Sequence, residues 1–252
     1  MPRWGPSGAA ITSPSCRPSS ASTIANDSKS LGLDRDRLVL MVHSGSRGLG
    51  EAILRAHTHV RGAEGLRPAD DDGRAYLERH DHAVAWAVSN RRLIAARFLA
   101  ALGGEGERVL DVCHNSVTRS TIEALPCFLH RKGAAPSDVG PIVIPGSRGS
   151  MSHLVAPIGD LDASARSLAH GAGRRWTRGG ARDRLRGRVR AEALRRTELG
   201  GRVICEDKDL LFEEAPQAYK DIDSVIDALL AAGLVAKIAT LRPLITYKTR
   251  RS

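Results

Sequence analysis

The chain has 252 residues, of which 42% are hydrophobic, with only three each of Phe, Trp and Tyr, so its core must be built from Leu, Val, Ile and Ala. Lys and Arg outnumber Asp and Glu by 38 to 28, which attracts polyanions without identifying one. No apolar run approaches about 18 residues, and the four cysteines are dispersed, which argues against a membrane span and a disulfide-stapled scaffold. We therefore expect no membrane partner and a cytoplasmic location.

The first elements in chain order are a leader, a strand and a helix. Residues 1–32 are rich in Ser and Pro and predict a disordered or misassigned leader, which leaves 33–252 as the folded part. The apolar run at 37–42 predicts a strand that ends in a Gly-rich turn. A helix is expected from Gly50 onward.

A long helix and three short strands are predicted next. Apolar residues recur on one helical face from Tyr76, which predicts a helix of about 25 residues ending at Gly103 and Gly104. Between 107 and 145 the runs ERVLDV, LPCFLH and PIVIP, bounded by turn-forming residues, predict three strands. We expect the first of these strands to end at His114.

The last predicted elements are a helix and a strand. Apolar residues at helical spacing from Ile222 predict a helix that Gly233 ends. Leu244, Ile245 and Tyr247 predict a final strand. Because helices and strands are mixed without a regular βαβ alternation, the sequence predicts an α+β fold rather than a doubly wound sheet.

Three segments place a histidine among small, flexible residues: VHSGSRGLG at 42–50, LDVCHN at 110–115 and LAHGAGRR at 168–175. Glycines let backbone N–H groups approach an anion, and a histidine beside them can bind a metal or attack phosphorus. Each imidazole alone would more often be structural. SGSRGLG also approaches a dinucleotide-binding fingerprint, but the order of its glycines differs.

The same chain also contains HRKGA at 130–134, PGSRGS at 145–150, EAPQAYKDID at 214–223 and the terminal LRPLITYK. Together they closely resemble the RtcB family of GTP-dependent RNA ligases, from about Arg37 to Lys248. The resemblance implies an RtcB-like catalytic domain of mixed sheet and helix that lacks its N-terminal part.

The resemblance also assigns roles to residues. It implies that His170 is the catalytic nucleophile that takes up GMP from GTP, and that His43 and His114 bind one Mn²⁺. The nucleotide-binding residues that it implies are His114, Asn115, Pro145, Gly146, Ser147, Arg148, Ser152, His170, Gly171, Ala172, Gly173 and Lys248.

The implied function is an RNA ligase of tRNA splicing or RNA repair that joins an RNA 3′-phosphate, or a 2′,3′-cyclic phosphate, to a 5′-hydroxyl. Family members carry Asp-x-Cys-Gly and Asn-His-Phe segments with further ligands, which this sequence does not have. We therefore expect impaired activity unless a partner chain supplies those ligands.

Two alternatives remain. The chain could be a non-catalytic RNA-binding remnant, in which the ten arginines between 174 and 196 bind phosphates. It could instead be a metal-dependent phosphoesterase that uses His43 and His114, although Asp111 is the only acid within those two motifs.

Overall fold

The computed structural model describes residues 7–15, 31–34 and 36–249. Within these ranges six strands form one mixed sheet, four more form two short antiparallel pairs, and five α-helices accompany them. The predicted α+β fold class is therefore confirmed.

The elements are numbered in chain order. The strands are β1 (Ser7–Ser15), β2 (Val39–His43), β3 (Asn115–Ile122), β4 (Leu125–Lys132), β5 (Ala134–Pro136), β6 (Ile142–Ile144), β7 (Ser152–Pro157), β8 (Ser167–Ala169), β9 (Arg202–Cys205) and β10 (Val235–Thr249). The helices are α1 (Gly48–Arg61), α2 (Asp71–Leu102), α3 (Arg178–Leu185), α4 (Lys208–Glu213) and α5 (Ile222–Ala231).

The 15-residue strand β10 organises the main sheet, whose order is β2-β1-β10-β7-β6. One edge of β10 pairs with β1, from Ser7 opposite Thr249 to Ser15 opposite Thr240. Its other edge pairs first with β7 and then, in parallel, with β9. The predicted final strand is confirmed and is longer than the three apolar residues that indicated it.

Strand β1 lies within the segment that composition assigned to a leader. Its nine residues pair with β2 on one side and β10 on the other, and Ala9 and Ile11 are buried. The expectation of disorder therefore does not describe these residues. The boundary between 1–32 and 33–252 stays a prediction.

The long helix α2 ends where the sequence predicts. Gly103 adopts a left-handed conformation with φ 65° and donates to the Ala100 carbonyl at 3.1 Å, while Gly104 donates to the Leu99 carbonyl at 3.0 Å. The helix has 32 residues, more than the predicted length of about 25. Despite that length, no helix in the described ranges is apolar enough to cross a bilayer.

The prediction of a strand at ERVLDV is wrong, because residues 104–113 belong to no helix or strand. Leu110 and Val112 do pack against buried clusters, so the apolar alternation has a structural basis. The intervening Asp111 pairs with α2, and the backbone joins no sheet. His114 consequently precedes β3 instead of ending a strand, whereas the strands predicted at LPCFLH and PIVIP are confirmed as β4 and β6.

The largest buried cluster lies between α5 and the main sheet. Ile222 and Ile226 of α5 pack with Ile142 and Ile144 of β6 and with Val155 of β7. All five are at most 1% exposed. This cluster supports the sheet edge from which the PGSRGS loop emerges.

We predict that Ile226→Ala lowers the free energy of unfolding by about 2–5 kcal/mol, because it removes buried methyl groups and leaves a cavity. Urea denaturation measures the change. The matched control is Asp227→Ala on the exposed side of the same helix, which should change it by about 0.5 kcal/mol or less. Equal effects of the two variants would contradict this placement of the core.

Candidate active site

Three histidine side chains from separate segments meet beside the main sheet. His43 is the last residue of β2, His114 directly precedes β3, and His170 directly follows β8. The ring centroids of His43 and His114 lie 5.0 Å apart with an interplanar angle of 88°. Those of His114 and His170 lie 4.5 Å apart and are stacked at 27°. The fold thus brings together the three imidazoles that the sequence singled out.

Gly133 fixes the approach of His170 to His114. Its N–H donates to the His114 carbonyl and to Oδ1 of Asn115, each at 2.8 Å. A Cβ at this position would lie 2.9 Å from Cε1 of His170, and the backbone φ is +69°. Only glycine fits without displacing the imidazole. The pairing of Ala134 with Ala169 in the β5–β8 ladder holds the two segments in this register.

His43 is linked to Lys248 through the register of the main sheet. Gly8 of β1 lies opposite His43 on one side and opposite Lys248 on the other. Side chains of directly opposed residues share a face of a sheet. Lys248, predicted to bind the nucleotide, therefore lies on the same face as the imidazoles.

The imidazoles of the site are held in their neutral form. The pKa values of His43 and His114 are each lowered to about 4, and desolvation by the surrounding protein atoms is the largest cause for both. His43 is nevertheless exposed at the protein surface. Neighbouring imidazoles and, for His43, the Lys248 ammonium add to the effect. Burial also lowers the pKa of His170, opposed by a hydrogen bond to the Gly133 backbone. Neutral rings can act as ligands or nucleophiles at neutral pH.

Glu214 gathers several cations beside the histidines. Its carboxylate accepts from Nη1 of Arg174 at 3.1 Å and from the Tyr219 hydroxyl, and it lies 3.5 Å from Nε of Arg178 and 3.8 Å from Nζ of Lys248. Burial would raise the pKa of Glu214, but the Lys248 ammonium and these donors outweigh it and hold the pKa below its usual range. Burial lowers the pKa of Lys248 despite the neighbouring carboxylate.

The guanidinium of Arg174 makes its hydrogen bonds within this network. Its guanidinium stacks on the Tyr219 ring, 4.9 Å from the centroid, and donates to the Glu213 carbonyl at 2.6 Å and to the Trp176 carbonyl at 2.9 Å. It therefore shapes the segment after His170 and fixes Tyr219. The neighbouring Arg175 is exposed.

The PGSRGS loop lies against the His170 segment. A Cβ on Gly171 would lie 3.1 Å from the Pro145 carbonyl oxygen, and one on Gly146 would lie 2.0 Å from the Met151 carbonyl oxygen. Both glycines therefore permit close packing of backbone on backbone. The Ser152 hydroxyl accepts from the Gly146 N–H at 3.1 Å, and the Ser147 hydroxyl accepts from the Gly149 N–H at 3.2 Å. These hydroxyls set the shape of the loop.

The remaining predicted residues lie in or beneath the same two loops. Arg148 is 7% exposed and donates from Nη2 to the Leu211 carbonyl at 2.8 Å, while its buried Nε and Nη1 have no hydrogen-bond partner among the described residues. Burial lowers its pKa to about 10. Ala172 is buried in the main cluster, whereas Gly173 is exposed with φ +73°.

The arginine-rich segment divides into two groups. Arg178, Arg182 and Arg186 pair with Glu214 or Asp209, and the Arg184 guanidinium stacks on the Trp176 ring. The other exposed arginines that follow are Arg188, Arg190 and Arg196. These three form an exposed basic surface C-terminal to α3.

Arg91 of α2 also contacts the histidine segments, although no sequence motif includes it. Its guanidinium pairs with Asp111 at 2.6 Å and donates to the Ser44 carbonyl at 3.1 Å, so it touches both segments that carry His43 and His114. A signal was present in the sequence, since Arg91 falls four residues after Ala87 on the apolar face of the helix. A cation at such a position needs a partner.

The donor set suits a metal ion only in part. His43 and His114 are neutral nitrogen donors, as metal binding requires. Over the described ranges, no group of three or more His, Cys, Asp or Glu side chains is arranged to hold a metal ion. These two imidazoles are one short of the three protein ligands that a catalytic site usually has.

Known proteins are similar to this chain over most of its length. A sequence model of the family described as "tRNA-splicing ligase RtcB" matches residues 22–249. The "RNA-splicing ligase RtcB2" of Escherichia coli is 50% identical over 217 residues, which cover 86% of this chain and 57% of that protein. The "RNA-splicing ligase RtcB" of Mycobacterium tuberculosis is 33% identical and also covered to 57%.

An archaeal relative is less similar in sequence and also matches most of this chain. The "tRNA-splicing ligase RtcB" of Pyrococcus furiosus is 30% identical over 86% of this chain and 26% of that protein. The chain spans a little over half the length of the bacterial relatives. Since the family model matches nearly the whole sequence, this chain belongs to the RtcB family of RNA-splicing ligases.

Proposed function

We propose that this chain contributes the guanylate-transfer centre of an RNA ligase. The ligase joins an RNA 3′-phosphate, or a 2′,3′-cyclic phosphate, to a 5′-hydroxyl through a guanylylated His170, with GTP and Mn²⁺. The convergence of the His43, His114 and His170 rings is the observation that carries the proposal. One candidate nucleophile and two candidate metal ligands thereby share a single site.

The proposed reaction has three balanced steps. A ring nitrogen of His170 attacks the α-phosphorus of GTP, so a P–N bond forms, a P–O bond breaks and pyrophosphate leaves. An oxygen of the RNA 3′-phosphate then attacks the same phosphorus, and the P–N bond breaks. Finally the 5′-hydroxyl oxygen attacks the RNA phosphorus, loses its proton and displaces GMP. The lowered pKa of His170 supports the first step because it favours the free base.

The proposed nucleotide site lies between the two glycine-containing loops. The glycine-containing segment after His170 and the ammonium of Lys248 supply donors for phosphates and base. Asn115 lies beside the same imidazoles because its side chain accepts from Gly133. The cations around Glu214 give this region a positive field suited to a triphosphate.

We propose that Mn²⁺ is held by His43 and His114 together with ligands from outside the described residues or from a partner chain. A divalent cation bound there supplies charge that polarises the phosphate oxygens. Since two imidazoles are an incomplete set, we expect the isolated 252-residue chain to be weakly active. A cytoplasmic location is part of the same proposal.

The first prediction from this proposed function concerns His170. With labelled GTP and Mn²⁺ the chain should acquire weak, acid-labile label, because a phosphoramidate is acid-labile, and His170→Ala should remove it. His59→Ala, at an exposed position of α1, is the matched control and should keep the label. Undiminished label in His170→Ala would contradict the assignment, and a wild-type chain without label would favour a non-catalytic RNA-binding remnant.

The second prediction concerns pH. Only the free base of His170 is nucleophilic, and its pKa is lowered, so labelling should persist below the pH of about 6.5 at which an ordinary imidazole protonates. The rate of label incorporation, measured from pH 5 to 8 in single-turnover experiments, gives the midpoint of the acid limb. A midpoint above that of free imidazole would contradict a neutral, buried nucleophile.

The third prediction concerns RNA. Arg188 and Arg190 are exposed C-terminal to α3, so Arg188→Gln and Arg190→Gln should each weaken RNA binding and reduce the slope of log Kobs against log salt by about 0.7. Fluorescence anisotropy with single-stranded RNA measures both. Arg97→Gln, on the exposed side of α2, should leave the slope unchanged. Equal slopes for all three variants would place the RNA elsewhere.

A further inference from the structure

The side chain of Arg91 binds two segments that are far apart in sequence. Its Nε donates to Oδ1 of Asp111 at 2.7 Å and its Nη2 lies 2.6 Å from the same oxygen. Nη1 donates to the Ser44 carbonyl at 3.1 Å, and Nη2 also lies 3.3 Å from Sγ of Cys113. One guanidinium therefore contacts the segment after β2 and the segment before β3.

Two of these contacts, Ser44 and Cys113, are to residues next to a candidate metal ligand, and Asp111 lies three residues before His114. Ser44 follows His43, and Cys113 precedes His114. Asn90, beside Arg91 on α2, adds donors to the Ser44 hydroxyl at 2.9 Å and to the Gly45 carbonyl at 3.3 Å. The end of β2 is thus attached to the same turn of α2 that holds the Asp111 segment.

The ion pair is also shielded from water. The side chains of Arg91 and Asp111 are 13% and 16% exposed. A shielded pair is weakly screened by salt, and loss of either partner leaves an uncompensated charge. The planar fork of Arg matters here, because a lysine ammonium cannot reach the carboxylate and the Ser44 carbonyl with the same rigid geometry.

On α2, Asn90 shares the contact with the segment after β2, but the Arg91 side chain contacts both histidine segments. Within this helix only Gly73, Ala83 and Ala87 are buried, and the adjacent Arg92 is exposed. The hydrogen bonds of Arg91 go to the two histidine segments and not to the core of the helix packing. A role in the site is therefore separable from a role in holding the helix.

We propose that Arg91, together with Asp111, is a positioning residue that sets the separation and orientation of the His43 and His114 rings. It touches no substrate; it acts through the backbone on either side of the two histidines. This positioning role rests on the proposed function, because it matters only if the two rings bind a metal. The dependence of the ring separation on Arg91 can be tested without metal, nucleotide or RNA.

The primary test uses the whole chain without ligands. Nuclear Overhauser effects between the ring protons of His43 and His114 should be present in the wild type and in Arg92→Met, the matched control. They should be lost or strongly weakened in Arg91→Met and in Asp111→Asn. Arg91→Lys keeps the charge and should fold, yet it should also weaken the effects because it lacks the fork.

A second readout separates positioning from general stability. Leu194→Ala truncates a buried side chain in another cluster, so it should lower the melting temperature while leaving the ring-to-ring effects intact. Binding of Ni²⁺ alone, a probe with high affinity for imidazoles, should weaken about tenfold or more in Arg91→Lys and remain unchanged in Arg92→Met.

The outcomes distinguish the two proposals. If the wild type binds no Ni²⁺ but its ring-to-ring effects depend on Arg91, the metal site is wrong and the positioning role stands. If the ring-to-ring effects persist in Arg91→Met and Arg91→Lys, or are absent from the wild type, the positioning role is overturned whatever the metal does.

Discussion

The geometry of the site depends on the close contact between the Gly133 backbone and the His170 ring. Gly133 donates to the His114 carbonyl while a hydrogen bond to its backbone orients His170, so one residue ties two imidazoles together. With its φ of +69° and a Cβ position only 2.9 Å from the ring, any other residue here would strain the backbone and displace the imidazole. The stacking of His114 on His170 follows from this contact. His43 joins them because β2 pairs with β1 at one edge of the main sheet.

Electrostatics then suit this arrangement to an anion. Arg174, Arg178 and Lys248 surround the carboxylate of Glu214, and Arg148 is buried nearby with unpaired donors. The imidazoles add no further positive charge, because desolvation by surrounding protein atoms and the unfavourable placing of a second charge beside a protonated ring lower the pKa values of His43 and His114. In the proposed function the positive charge binds phosphates, and the neutral rings remain available as ligands and nucleophile.

The sequence predicted the parts of the fold with strong local signals. The end of α2 at Gly103 needed a left-handed residue, and β4, β6 and α5 combine apolar runs with flanking turn residues. The ERVLDV segment was wrongly predicted to be a strand because its apolar residues do alternate. Asp111 in this segment binds Arg91, and the backbone joins no sheet. The three-residue strands β5 and β8 are too short for a periodic signal, and the composition of β1 resembles a leader.

The site was predictable only in outline. Gly-rich motifs and a family resemblance identified His43, His114 and His170, yet the distances between them arise from strand pairing and the Gly133 contact. The cluster around Glu214 needs tertiary contacts between residues more than 30 positions apart. Arg91 belongs to no motif, and only its place on an apolar helix face marked it.

The most direct measurement is a crystal structure of the chain with Mn²⁺ and a non-hydrolysable GTP analogue, with anomalous scattering recorded for manganese. We expect an anomalous peak at a manganese ion bound by His43 and His114, with the α-phosphorus of the analogue facing a ring nitrogen of His170. A nucleotide bound away from His170, or manganese bound away from the other two histidines, would contradict it.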